Sequence, residues 1–166
     1  MEFREMRRRR QELPREECLE VLDRGTSGVL AVAGDGGYPY AVPMSYVRDG
    51  DKLLFHCAKS GHKLDAVRRE PKASFCVVDQ DDVVPSRFTT RYRSVIAFGT
   101  VRAVDDAAGM RAAAEKLAAK YSPDEGNEAR DAEIERDWQR LCVLELEVEH
   151  MTGKEGLELT LERGRG

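Results

Sequence analysis

Apolar side chains in this chain recur mainly at every second position, and a few stretches of helical period lie between those alternating runs. The first period is helical. Cys18, Val21 and Leu22 share one face behind Pro14, which suits a first helical turn, and Gly25 supplies a stop. Residues 27–33 are apolar and β-prone, Gly34-Asp35-Gly36-Gly37 has turn chemistry, and residues 38–47 resume an extended pattern, so a hairpin is predicted. Pro39 and Pro43 cannot donate ladder hydrogen bonds. The second strand is therefore expected to be interrupted, bulged or at an edge where something else, a ligand for one, meets its backbone.

Arg48-Asp49-Gly50-Asp51 predicts another turn and residues 52–57 another strand, followed by a helical period through Leu64, Val67 and Arg68 that Pro71 ends. Residues 73–78 suit a buried strand, 80–87 a charged loop, and 92–104 a long strand with Gly99 at a bulge or bend. Residues 105–121 form an Ala-rich helix, capped by Asp105 or Asp106, with Met110, Ala114, Leu117 and Ala118 on one face. A more acidic helix covers 129–140. Leu144, Leu146 and Val148 then alternate with Glu145, Glu147 and Glu149 in a half-buried final strand, Thr152-Gly153-Lys154 is a turn, and a mobile tail follows. About six strands joined mostly by short turns argue for a mainly β, antiparallel barrel with peripheral helices. The bounds are a flexible arm at 1–12, one domain at 13–154 and a tail at 155–166. Regular strand–helix alternation is missing, as is any G-x-G-x-x-G or G-x-x-x-x-G-K-[ST] loop, which disfavours a Rossmann or P-loop domain.

A length of 166 residues suits a single core, and the net charge of −4 gives no reason to expect nucleic acid or an anionic membrane as partner. No apolar run approaches the roughly 20 residues of a membrane span, so a soluble, cytoplasmic protein is expected. Arg7 to Arg10 fits a solvated terminus better than a nucleic-acid arm. Cys18, Cys57, Cys76 and Cys142 are far apart in the chain without a C-x-x-C pair, so they are expected to be reduced, buried small hydrophobes.

The stretch from Phe55 to Asp65 carries the most chemistry, because it ends a strand and opens a helix. Ser60 suits an N-cap, Gly61 lets a ligand approach the backbone, and the free amides of the first turn converge with positive partial charge. Lys63, with His62 and Lys59, adds charge of the kind a phosphate monoester needs. An ordinary capped helix with solvated basic residues uses the same sequence. Arg91, Tyr92, Arg93, Ser94 and Val95 offer two guanidinium groups and a hydroxyl that pair either with phosphate or with neighbouring carboxylates and backbone. His56, at a strand end, lacks a partner at a spacing that would make a catalytic dyad, and no metal-ligand spacing links it to Cys57 and His62. Trp138 suits the packing of a helix on the barrel, at the core, a dimer seam or a ligand pocket.

In order along the chain, the segments Gly28 to Val32, Tyr38 to Tyr46, Phe55 to Ala58 with Gly61-His62-Lys63, Tyr92 to Val95 with Gly99, and Thr152-Gly153-Lys154 resemble the pyridoxamine 5′-phosphate oxidase-like flavoproteins, on the nitroimidazole-resistance (Nim) branch. The resemblance runs over nearly the whole chain. It implies an FMN-binding antiparallel split β-barrel that forms a homodimer with two flavin mononucleotides at the seam. Val42, Pro43, Met44 and Ser45 would lie beside the isoalloxazine, His56, Cys57 and Ala58 along the flavin, and Ser60, Gly61, His62 and Lys63 around the phosphate. Tyr92, Arg93, Ser94 and Val95 would complete the pocket, with Trp138 at its border. His56 would position or protonate the acceptor. The implied activity is electron or hydride transfer from a reductant such as NAD(P)H to a small acceptor, a nitroaromatic for one. Flavin or haem binding without turnover, and use of the deazaflavin F420, are the alternatives on the same fold. The chain departs from true pyridoxamine-phosphate oxidases in having no proline after Pro123, which puts vitamin B6 oxidation in doubt.

Overall fold

Seven antiparallel strands make one curled sheet in the computed structural model, which describes residues 3–164. In chain order the elements are α1 (Arg15–Arg24), β1 (Gly28–Ala33), β2 (Pro39–Met44), β3 (Val47–Asp49), β4 (Lys52–Ala58), α2 (His62–Arg69), β5 (Lys72–Val84), β6 (Thr89–Ala103), α3 (Ala107–Tyr121), α4 (Asn127–Asp137), β7 (Leu141–Glu155) and α5 (Leu157–Glu162). The spatial order is β2-β1-β5-β6-β7-β4-β3, so β2 and β3 are the edges. Only Ser45 and Tyr46 separate those edges in sequence, which obliges the sheet to curl until they meet. The result is the split barrel: the chain crosses a seam that the hydrogen-bond ladder does not. Both prolines of the second strand sit on this edge, where a missing N–H breaks no second ladder.

The concave side holds the core. Cys18, Val21 and Leu22 of α1 and Leu64, Ala66 and Val67 of α2 pack with Leu30, Phe55, Phe75, Val77, Leu144 and Leu146. Phe75 meets Tyr46 and Phe55 edge-on, with ring centroids 4.8 and 5.0 Å apart. At the seam, the fully buried Tyr46 donates its hydroxyl to the Leu22 carbonyl (2.7 Å), and its amide donates to the Tyr121 hydroxyl (2.8 Å). That hydroxyl also stands 2.6 Å from the Thr26 carbonyl, so α3 is tied to both sides of the seam. On the convex side α3 covers Leu54, Val104 and Val143 with Ala113 and Met110. Its first turn is capped by Asp106, whose carboxylate accepts from the Gly109 amide at 2.6 Å.

Several expectations need correction. Of the expected loop 80–87 only Pro85–Arg87, a short 3-10 turn, connects elements: β5 and β6 run on beyond the sheet as a two-stranded ribbon in which 80–84 pair with 89–93 of β6. Thr152-Gly153-Lys154 is not a turn but part of β7, opposite Ile96, Val95 and Ser94. Glycine is needed there because a Cβ would lie 2.4 Å from the Cys18 sulfur. The stretch expected as a tail contains α5, which buries Leu159 and Thr160 and ties to the ribbon through the Gly156 amide and the Tyr92 carbonyl (2.8 Å). The N-terminal stretch packs as well, with Phe3 stacked on His150 at 4.4 Å and Glu12 bridged to Lys154; Met1 and Glu2 of the expected arm, and Arg165 and Gly166 of the tail, lie outside the described residues.

The bulge expected at Gly99 is present, but the extra residue lies on β7. Phe98 opposes His150 and Gly99 opposes Val148, which leaves Glu149 unmatched. A Cβ at Gly99 would come within 1.9 Å of the Glu147 carbonyl oxygen, so this close approach requires glycine. His150 accordingly leaves the inward row and faces Phe3 and Phe98. Among the described residues, no helix is long and apolar enough to cross a membrane.

Candidate functional site

The start of α2 is placed against the free edge of the sheet. Tyr40 of β2 stacks on His62 with 4.0 Å between ring centroids, which brings the first helical turn to the strand that carries Val42 and Pro43. Ser60 is not the cap. The helix begins one residue later, after Gly61, whose φ of 128° suits glycine, and no side chain caps the turn. The Leu64 and Asp65 amides bond to the Gly61 carbonyl (3.0 and 3.1 Å). The preceding amides of His62 and Lys63 therefore point outward without a capping side chain, and a Cβ on Gly61 would meet no atom within 4 Å. Such a turn presents partial positive charge to an open space. Lys63 is half-buried beside it, and Lys59 and Ser60 are exposed. His62 stands 3.6 Å from the Asp35 carboxylate, which also meets Arg69 at 3.1 Å.

Along β2, Pro43 is exposed, Met44 is buried and Val42 packs on the core, and Ser45, just beyond the strand, is exposed. At the end of β4, Cys57 faces the core margin, whereas His56 faces the convex side. Burial, and then the adjacent Cys142, pushes the Cys57 thiol up to about 12, with Lys63 opposing. His56 opens into a cavity of about 700 Å³ between β4, β7 and the α3–α4 pair, walled by Leu117, Ala118, Arg130, Ile134 and Leu141. Trp138, half-buried at the C-terminal end of α4, adjoins Asp137 of that wall.

The segment 92–95 is placed differently. Pro43 opposes Val29, Val29 opposes Cys76, and Cys76 opposes Ile96, so β6 lies three strands from β2. At about 4.8 Å per strand this is roughly 14 Å across the sheet. Val95 is buried in the core, and Tyr92, Arg93 and Ser94 are half-buried. Of the two roles open to Arg93, carboxylate pairing is the one seen: its guanidinium meets Asp79 at 3.2 Å and the buried Glu155 at 3.3 Å. Arg24 grips Asp79 as well, through bonds of 2.6 and 2.7 Å. Hydrogen bonding to Arg24 foremost, joined by Arg93, holds the Asp79 carboxyl below its ordinary range.

The Tyr40–His62 stack thus brings the strand of 42–45 to the turn of 60–63, Cys57 and Ala58 lead into that turn, His56 faces the convex cavity, and 92–95 stands apart within the chain. Tyr40, Arg130 and Ile134 were not singled out from the sequence. Tyr40 carries a signal, an aromatic ring between two prolines on an edge strand; the other two take meaning only from the α3–α4 packing that sequence periodicity does not fix.

A family model described as pyridoxamine 5′-phosphate oxidase matches residues 14–155. A conserved hypothetical protein of Mycobacterium tuberculosis, Rv2991, superposes with a TM-score of 0.80 at 16% identity, over 93% of this chain and 92% of that one. A candidate 5-nitroimidazole antibiotic resistance protein of Bacteroides thetaiotaomicron gives 0.74 at 20% identity, over 87% and 86% of the two chains. An FAD- and heme-binding protein of Mycobacterium smegmatis gives 0.72 at 23% identity, over 93% of this chain and 80% of that one. At these identities the likeness is one of fold. No curated protein matches the sequence.

Proposed function

Because the chain belongs to the pyridoxamine 5′-phosphate oxidase family, we propose that it works as a homodimeric flavoprotein oxidoreductase holding flavin mononucleotide between β2 and the start of α2. The observation that carries this reading is the uncapped turn at Gly61, beside Lys63 and joined to the edge strand by the Tyr40–His62 stack. Two outward amides and an ammonium group match the oxygens of a phosphate monoester. The free edge of β2 offers backbone groups to the polar rim of a ring, and Pro43, without an N–H, adds a flat apolar surface and no donor. Arg93 contributes no free charge, since its guanidinium is engaged by Asp79 and Glu155.

Bound in this place, a flavin supplies two-electron transfer between a donor such as reduced nicotinamide and a small acceptor, a nitroaromatic being one. His56 would orient the acceptor in the adjoining cavity and hand it a proton from the imidazole. A second copy of the chain is part of the reading. Val29 and Pro43 leave apolar surface exposed on the convex side of β1 and β2, and 92–95 would reach a flavin only from the partner.

Aerobically purified protein is expected to carry FMN, identified by its absorption and the mass of the released ligand, and to sediment as two chains. Anaerobic reduced nicotinamide should bleach it, and His56→Ala should retain flavin but reoxidise slowly with the acceptor. Protein that takes up no flavin, or flavin that stays oxidised with every donor, removes the proposal. The exposed imidazole of His56 on a 700 Å³ cavity supports a second reading, haem binding, which an intense Soret band would identify.

A further inference from the structure

Cys57 and Cys142, far apart in sequence, stand directly opposite each other on β4 and β7. The Val148 amide donates to the Asp51 carbonyl at 2.9 Å, and this pair continues the β4–β7 register by one step. Hydrogen-bonded pairs alternate from there, so 53 with 146, 55 with 144 and 57 with 142 are of the same kind. Such pairs hold their Cα atoms about 5.5 Å apart, inside the window of roughly 4.4–6.8 Å that disulfides occupy. Both side chains pack at the margin of the main core and both thiols are free. The other cysteines have no such neighbour. Cys18 points its thiol at the Leu13 carbonyl (3.8 Å), and Cys76 lies between Val29 and Ile96.

We infer that Cys57 and Cys142 form a reversible thiol–disulfide site, closed by hydroperoxides and reopened by dithiols. One sulfur, as thiolate, attacks a peroxide oxygen; the O–O bond breaks, water leaves when the oxidant is hydrogen peroxide, and a sulfenic acid remains. The second thiol then displaces that hydroxyl as a second water while the S–S bond forms. Two S–H bonds and the O–O bond are lost, the sulfurs give up two electrons, and the peroxide takes them. Burial opposes formation of the Cys57 thiolate, so closure is slow at neutral pH and speeds up in alkali. The site adjoins His56 and Ala58 but does not depend on a bound flavin.

The test uses the whole chain, reduced, freed of reductant and treated with hydrogen peroxide at about pH 8.5, where thiolate is more abundant. Denaturing alkylation should then find two reactive thiols in place of four. Intact mass should fall by two hydrogens, a peptide pair linked through Cys57 and Cys142 should appear, and dithiothreitol should restore all four thiols. In Cys142→Ser the linked pair should vanish and dimedone should trap Cys57 as its sulfenic acid. Four reactive thiols after peroxide, oxygen addition to both sulfurs without linkage, or linkage only between separate chains would each overturn the inference.

Discussion

Replacing Tyr46 by Phe tests how much the seam contributes to the fold. The side chain is fully buried, and its hydroxyl donates to the Leu22 carbonyl at 2.7 Å, near the end of α1. Burial raises the phenol pKa, so the group is a protonated donor at neutral pH. The ring remains in Phe, together with its edge-on contact with Phe75, so the change isolates one buried hydrogen bond. A lost bond that leaves a buried acceptor unpaired costs about 1–2 kcal/mol. With about 2.1 cal/mol/K of unfolding entropy per residue, the whole chain carries roughly 0.35 kcal/mol/K, and a loss of about 1.5 kcal/mol lowers Tm by about 4 °C. Urea unfolding at equal flavin saturation should show a lower midpoint with an unchanged slope. A Tm shift under about 1 °C would mean that the Leu22 carbonyl finds another donor at no cost, and the seam would not be held by this bond.

Two further outcomes follow from the geometry around α2 and β6. Lys63→Ala should weaken FMN binding roughly 10- to 100-fold, the loss of one charge-assisted bond, yet leave riboflavin, which lacks the phosphate, unaffected in a fluorescence titration. Equal loss for both ligands would place Lys63 away from the phosphate. Asp79→Asn should destabilise the fold by about 1–3 kcal/mol at neutral pH. Because the folded carboxyl titrates below its unfolded value, its contribution is present above about pH 4 and is lost as pH falls through the lower folded value. The gap between wild type and variant in pH-dependent unfolding should therefore hold from neutrality to about pH 5 and narrow steadily as pH falls from there toward the lower folded value. A gap that stays constant into acid would refute the pairing with Arg24 and Arg93.

Much of the architecture was legible because burial on one face imposes alternation, as in β1, where Leu30 and Val32 turn inward and Val29 and Ala31 outward. Pro39 and Pro43 restricted the second strand to an interrupted, bulged or edge position, and the edge is where it lies. The ribbon was not legible: Asp81 and Asp82 meet water, so no face is selected and the residues carry a loop's composition. Gly153 misled in another way. A glycine flanked by Thr and Lys has turn chemistry, but this one makes room for the Cys18 sulfur, a contact set by a helix far away in sequence. Ser60 misled by one position, since local preference favours serine as a cap while the chain's path favours a glycine at φ 128°. At the candidate site, the basic residues were visible in the sequence. Which of them are already paired was not, because Asp79 and Glu155, the partners of Arg93, come from two other strands.

The unmatched Glu149 has a reach beyond its own position. Ahead of it the even-numbered side chains of β7, Leu144 and Leu146 among them, turn inward; behind it the odd-numbered Met151, Gly153 and Glu155 do. The strand is thus written in two phases spliced at one amino acid. Straightening the strand with every residue kept would swing Thr152 and Lys154 toward α1 and expel Glu155 from its arginines. Deleting Glu149 itself should therefore be tolerated far better than a deletion elsewhere in this strand, and relatives that lack the extra residue should alternate through it without a break.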